Sequence, residues 1–283
     1  MSDVAASGRR RIWLCADDYG ISAAVNSAIR DLVVRGRLNA TSVMVAAPSF
    51  HRSEAISLNV LNSIAPRVAI GLHLTLTAPF RPLSKGFTPL NEDAFLPLAA
   101  MLRHAGLRRL QHDALMSEIA SQIRTFITAF GRAPDFIDGH QHVHLFPQIG
   151  AALLEVVKET VPDAWVRQCG RTAPLAARFA DRKGVLLDAL SHRFRRRAAA
   201  LGVRTNPAFA GTYDFHDAAD IAALFPRFLD RLPDGGVIMC HPGFVDAELQ
   251  RLDPLTTLRE KEYAFFAGES FPALLASHGV VLA

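Results

Sequence analysis

Apolar residues recur along this chain in short unbroken runs, separated by longer stretches in which they return every three or four positions. The runs of strand length are Arg11 to Ala16, Thr41 to Ala47, Val68 to Leu74, Phe136 to Asp138, Trp165 to Arg167, Ala208 to Tyr213, Gly236 to His241 and Val280 to Leu282. Continuous apolar runs of this length, without polar alternation, mark strands covered on both faces. The stretches between them read as helices. Ser22 can cap one that runs to about Arg35 and is closed by Gly36, and Pro48-Ser49 opens another. His112 to Phe130 places Leu115, Ile119, Ile123, Phe126, Ile127 and Phe130 on one face before Gly131. Gln148 to Thr160, Leu175 to Leu201 and Ala218 to Leu232 follow, and a last helix from Thr256 to Ser277 is interrupted near Gly268 and Pro272. This alternation predicts an α/β fold, an irregular (β/α) barrel of about seven to eight mainly parallel strands forming one catalytic domain over 1–283. Residues 78–100, with Pro79, Pro82, Pro89 and Pro97 and little periodicity, predict a long excursion over the site.

Polar residues interrupt these runs at one end. Asp17 and Asp18 follow the first strand, His73 ends the third, Asp138 and His140 end the fourth, Arg167 ends the fifth, and His241 ends a late one. In a parallel barrel these ends share one rim, where catalytic groups gather. Singly, each has a plainer reading. Asp17-Asp18 suits a helix N-terminus, His73 a satisfied core position, Arg167 an ion pair, and His241 a turn. Together they coincide at one rim, which the plainer readings leave unexplained.

The densest stretch is Asp138-Gly139-His140-Gln141-His142-Val143-His144. On an extended chain the three imidazoles share a face, whereas on a helix only His140 and His144 do. Two imidazoles and one carboxylate leave coordination positions open, as hydrolytic metal sites require. Asp17 and Asp18 cannot both face an ion from an extended strand, which predicts one ligand and one base.

Composition narrows the picture. Of 283 residues, 50% are hydrophobic and 20% charged, enough to bury a large core. The net charge of +4 is concentrated in His192 to Arg204, so it does not describe a nucleic-acid face. Cys15, Cys169 and Cys240 lie far apart and read as free thiols in a reducing compartment. The N-terminal apolar run is too short for a signal core, and no window approaches the ~20 apolar residues of a membrane span. A soluble cytoplasmic protein is expected.

The blocks A-D-D-Y-G, I-G-L-H-L-T-L, F-I-D-G-H-Q-H-V-H-L-F-P and M-C-H-P-G-F occur in that order from Leu14 to Phe244. As an ordered set they resemble the YdjC-like carbohydrate deacetylases, a family that includes chitooligosaccharide and hopanoid-biosynthesis deacetylases. The resemblance implies a distorted barrel like that of polysaccharide deacetylases. It also implies one divalent ion, Mg2+ or Zn2+, on Asp18, His73 and His140, with Asp17 as general base and His241 as general acid. Asp138, His142, His144 and Arg167 would then support ligands or face substrate, with His144 an alternative or additional ligand beside His140. The implied substrate is an N-acetylglucosamine-type glycoconjugate, either a chitooligosaccharide or a glycosylated hopanoid lipid, that loses acetate.

The basic segment His192 to Arg204 adds an expectation of peripheral contact with an inner membrane surface. A homodimer is a further partner expectation, and no nucleic acid is expected. Two rival readings remain, a metal-dependent phosphoesterase and a non-catalytic membrane-surface binder. The first would want more carboxylates or a second metal and the second ignores the strand-end histidines.

Overall fold

The computed structural model describes residues 8–64, 68–171 and 182–282. Its centre is an eight-stranded, all-parallel sheet. Strand β1 (Arg10–Tyr19) lies in the middle, flanked by β2 (Ala40–Val43) and β9 (Val237–Cys240). Beyond β2 come β3 (Ala69–Leu74), β6 (Phe136–Gly139) and β7 (Trp165–Val166), and beyond β9 comes β8 (Phe209–Ala210). The last strand, β10 (Val280–Leu282), pairs with the beginning of β1. Single bridges tie Val166 of the edge strand β7 to Thr205 and Arg171 to Phe209 of the other edge strand β8, so the sheet curls into an irregular barrel. The expected parallel (β/α) barrel is the observed fold, with every strand end of interest on one rim.

Helices clothe the sheet because their apolar stripes have nowhere else to go. In α1 (Ala23–Val34), Ser22 accepts a hydrogen bond from the Val25 amide at 3.3 Å, and Val25, Ile29 and Leu32 point inward. In α4 (His112–Phe130), Leu115, Ile119, Ile123, Phe126 and Phe130 face the core, and Gly131 closes the helix at φ 71°. That helix packs against α2 (Arg52–Ile64) and α5 (Pro147–Thr160). Close layering fixes Gly71 on β3, since a Cβ there would lie 2.5 Å from the Phe136 ring on the neighbouring strand.

Several boundaries differ from expectation. β1 extends through Asp17 and Asp18 rather than ending before them. The 78–100 stretch contains a hairpin of β4 (Leu90–Asn91) and β5 (Ala94–Phe95), and its last residues begin α3 (Leu98–Gly106). Of the helix expected from Leu175, residues 182–201 form α6 (Arg182–Leu201), and the positions before 182 lie outside the described residues. α7 is Ile221–Leu229, capped by Asp220, and a short α8 (Ala247–Leu252) follows β9. The last predicted helix is two, α9 (Thr257–Ala267) and α10 (Ser270–Ser277), parted at Gly268. Pro272 does not interrupt, because it sits in the first turn, where its missing N–H costs nothing. No helix among the described residues is long and apolar enough to cross a membrane.

Candidate active site and metal centre

The site begins with an irregularity in β1. The pairing register with β2 shifts between Ala16 and Tyr19, and Asp18 has φ 68°, a left-handed backbone that a non-glycine residue adopts at some cost. The strand is therefore not extended at Asp18, and both neighbouring carboxylates reach the rim, each with its own partners.

Asp18 Oδ1 lies 3.2 Å from His73 Nε2 and 3.0 Å from His140 Nδ1. These three donors come from β1, from the end of β3 and from the residue after β6, and all are buried. The second oxygen, Oδ2, accepts a 2.6 Å hydrogen bond from Arg259 on α9. Burial alone would raise the Asp18 carboxyl, but the Arg259 charge and the two histidines hold it well below the usual carboxylate range. On the other side of His73, Nδ1 is 2.6 Å from Asp138 Oδ1 and 3.0 Å from Ser42 Oγ. Donation of Nδ1–H to Asp138 leaves Nε2 as the nitrogen free to bind an ion, the usual arrangement behind a metal-binding imidazole. Burial acts to lower His73, yet Asp138, Asp18 and Asp17 outweigh it and push it up to about 10. One carboxylate oxygen and two imidazole nitrogens converging from three strands fit a single divalent cation.

Asp17 faces a different partner. Arg167, just after β7, grips it at both oxygens, Nη1 to Oδ2 at 2.6 Å and Nη2 to Oδ1 at 2.7 Å. The same guanidinium lies 2.5 Å from Asp138 Oδ2. Ser42 also donates to Asp17 Oδ1 at 3.2 Å and so links Asp17 to His73. Burial would raise Asp17, but Arg167 overrides it and keeps the carboxylate ionised far below its ordinary range. Cys15, Asp17 and Asp138 form a second ligand-like group, but the cation among them is the Arg167 side chain. Arg167 is thus a fully buried bridge between carboxylates, with no face toward a substrate.

The histidine-rich stretch is neither extended nor α-helical. His140 to Leu145 form a 3-10 turn in which Gln141 and His142 have φ 54° and 57°. Residues four apart therefore do not stack, and His140 and His144 part company. His144 donates Nε2–H to the Arg167 carbonyl at 2.8 Å and is not among the three groups that converge at Asp18. Gly139 permits this fold-back, since a Cβ there would come within 2.8 Å of His144 Nδ1. His142 is half-buried, with Nδ1 3.6 Å from Cys169 Sγ and its ring edge-on to Phe209. Burial, with help from Arg167, lowers it to about 3 and keeps it neutral.

His241 follows β9 at the same rim. Its backbone N–H donates to Glu262, its ring lies edge-on to Phe215 at 5.5 Å, and its Nδ1 is buried with no partner among the described residues. From the excursion, Phe80 sets its ring edge-on to His140 at 5.7 Å. Arg259, Ser42 and Glu262 went unforeseen from sequence, and Phe80 was expected only as part of the 78–100 excursion. Ser42 follows another hydroxyl residue, Thr41, in a short strand and Arg259 lies in a largely polar helix, so neither carries a local signal.

Three carboxylates, Asp17, Asp18 and Asp138, stand against two guanidiniums, Arg167 and Arg259, in one buried cluster. The surplus negative charge is what holds the proton on His73, and a cation bound at Nε2 would take that proton's place.

Comparison with known proteins adds the following. A family model described as YdjC-like protein matches residues 11–277. A chitooligosaccharide deacetylase of Serratia marcescens is 30% identical over 240 residues, covering 83% of this chain and 82% of that one. A chitooligosaccharide deacetylase of Escherichia fergusonii is 27% identical over 266 residues, covering 90% and 87%. A solved structure from Enterococcus faecalis, described as a candidate cellobiose-phosphate cleavage protein, superposes with a TM-score of 0.75 at 22% identity. It covers 98% of this chain and 97% of that chain, a likeness of fold.

Proposed function

The chain belongs to the YdjC-like protein family, and from that membership and the rim cluster we propose that it is a metal-dependent carbohydrate deacetylase. It removes the N-acetyl group of an N-acetylglucosamine-type glycoconjugate and releases acetate. The observation that carries the reading is the convergence of Asp18 Oδ1, His73 Nε2 and His140 Nδ1 beside an ionised Asp17.

Asp18, His73 and His140 would hold one divalent ion, which supplies Lewis acidity toward the amide carbonyl and the attacking water. Two imidazoles suit Zn2+ by donor softness, and Mg2+ is the competing assignment. Asp17 accepts the proton of the attacking water at a carboxylate oxygen. Arg167 fixes that carboxylate in place and keeps it deprotonated, at the expense of some basicity. His241, at the same end of the neighbouring strand β9, delivers a proton to the leaving nitrogen. Asp138 orients His73, and His144 steadies the Arg167 backbone. His142, neutral and half-buried, offers a hydrogen-bonding edge at the floor of the site.

The Serratia and Escherichia relatives favour a chitooligosaccharide as substrate. A glycolipid such as a glycosylated hopanoid is the second reading. It is favoured by the exposed His192, Arg193, Arg195, Arg196 and Arg197 of α6, a face suited to an anionic membrane surface.

The test is to strip the protein with a chelator and add back Zn2+, Mg2+ or Co2+. Acetate release is then measured on N-acetylated chitooligosaccharides and on N-acetylglucosaminyl lipids, with an aryl phosphate alongside. Metal-restored acetate release is expected on one sugar class. Phosphate release without acetate would move the assignment to a phosphoesterase.

A further inference from the structure

The mechanism above leaves one fully buried charge without a task. Arg259 on α9 is wholly inaccessible to solvent. Its Nη2 donates to Asp18 Oδ2 at 2.6 Å and to Asp253 Oδ2 at 3.0 Å, and its Nε donates to the Leu255 carbonyl at 2.9 Å. Its backbone carbonyl accepts from the Gly243 amide at 3.1 Å, two residues beyond His241. The side chain is therefore locked at both ends, and it meets the oxygen of Asp18 that faces away from the histidines.

We propose that Arg259 is a positioning residue for the metal centre. By occupying Oδ2 it reserves Oδ1 as the one carboxylate oxygen presented beside His73 and His140, and it stops the carboxylate from rotating to offer both oxygens. This rests on the reading of Asp18, His73 and His140 as the cradle. Position and charge make opposite predictions. Removing a positive charge next to a cation site would by itself tighten cation binding. Loss of an outer partner that orients a ligand loosens it, typically 10–100-fold. The planar guanidinium fork also differs from a lysine ammonium, so charge retention does not preserve the geometry.

Co2+ titration of the stripped full-length protein, followed by its visible absorption, separates these cases. Arg259→Met and Arg259→Lys should both bind Co2+ about 10–100-fold more weakly than wild type. Their absorption bands should shift as the Asp18 coordination mode changes. Circular dichroism of the metal-free variants checks that they fold. Binding that is unchanged or tighter in folded variants, with the wild-type spectrum, overturns the proposal. If position 259 tolerates no change, Asp253→Asn frees one anchor of Arg259 without touching a metal donor. Weaker Co2+ binding there supports the positioning role, and wild-type binding overturns it. Failure of the underlying reading looks different, because Co2+ would then bind the Asp18→Ala variant as well as wild type, or bind neither.

Discussion

Arg167 gives the sharpest test of how the site is held together. Its guanidinium is 1% exposed and makes two hydrogen bonds to Asp17, at 2.6 and 2.7 Å, with a 2.5 Å ion pair to Asp138. Arg167→Met keeps an unbranched side chain of similar reach but strands two buried carboxylates. Breaking a buried pair by removing one partner costs about 3–5 kcal/mol, because the other charge is left uncompensated. Against a typical stability of about 5–15 kcal/mol this is a large fraction. At roughly 2–4 °C per kcal/mol for a domain of this size, the melting temperature should fall by about 6–20 °C. Urea unfolding gives the free-energy change directly, provided the slope stays constant. The double variant Asp17→Asn/Arg167→Met is the decisive arm. It removes one of the stranded charges, so it should be more stable than the sum of the single changes predicts, by about 0.5–3 kcal/mol. A loss below about 1 kcal/mol in Arg167→Met, or strict additivity in the double variant, would refute the view that Arg167 balances buried charge.

Three further outcomes are expected. Asp17→Asn should retain metal, measured by bound Co2+, while turnover falls by about 10²–10⁴, the usual worth of a general base; near-normal turnover removes it from that role. His241→Ala should slow amide hydrolysis more than hydrolysis of an activated aryl ester, since a good leaving group needs less protonation, and equal losses on both would argue against a general acid. Asp246 caps α8 and also accepts from the Ala24 amide. Its slight burial opposes the effect, but the Leu249 and Ala24 amides hold its carboxyl below the ordinary value. A depressed folded value means stability that is present above the unfolded pKa of about 4 and lost as pH falls through the lower folded value. Asp246→Ala should therefore cost about 1 kcal/mol at pH 7, and the gap to wild type should narrow by pH 2.5; a pH-independent gap contradicts this.

What could be read in advance follows a physical line. Strands buried on both faces tolerate few polar residues, so Asp17, Asp18, His73, Asp138 and His241 stood out against apolar runs, and the alternation of runs predicted the barrel that gathers them. Long-range pairing leaves no such trace. Arg167 stood out as the polar end of a strand, but not its meeting with Asp17 across 150 positions, and Arg259 meets Asp18 across 241 from a helix that would read the same on any surface. Backbone outliers are equally silent. Histidine takes left-handed φ more readily than most residues, but nothing in the sequence says that Gln141 and His142 both do so, and that turn is what carries His144 away from His140 to the Arg167 carbonyl. The same holds for Asp18, whose left-handed φ lets adjacent carboxylates take separate partners at one rim. The polar donors were thus visible as breaks in a hydrophobic pattern, whereas their division of labour depends on which cation each carboxylate meets, and that is decided by the closure of the barrel.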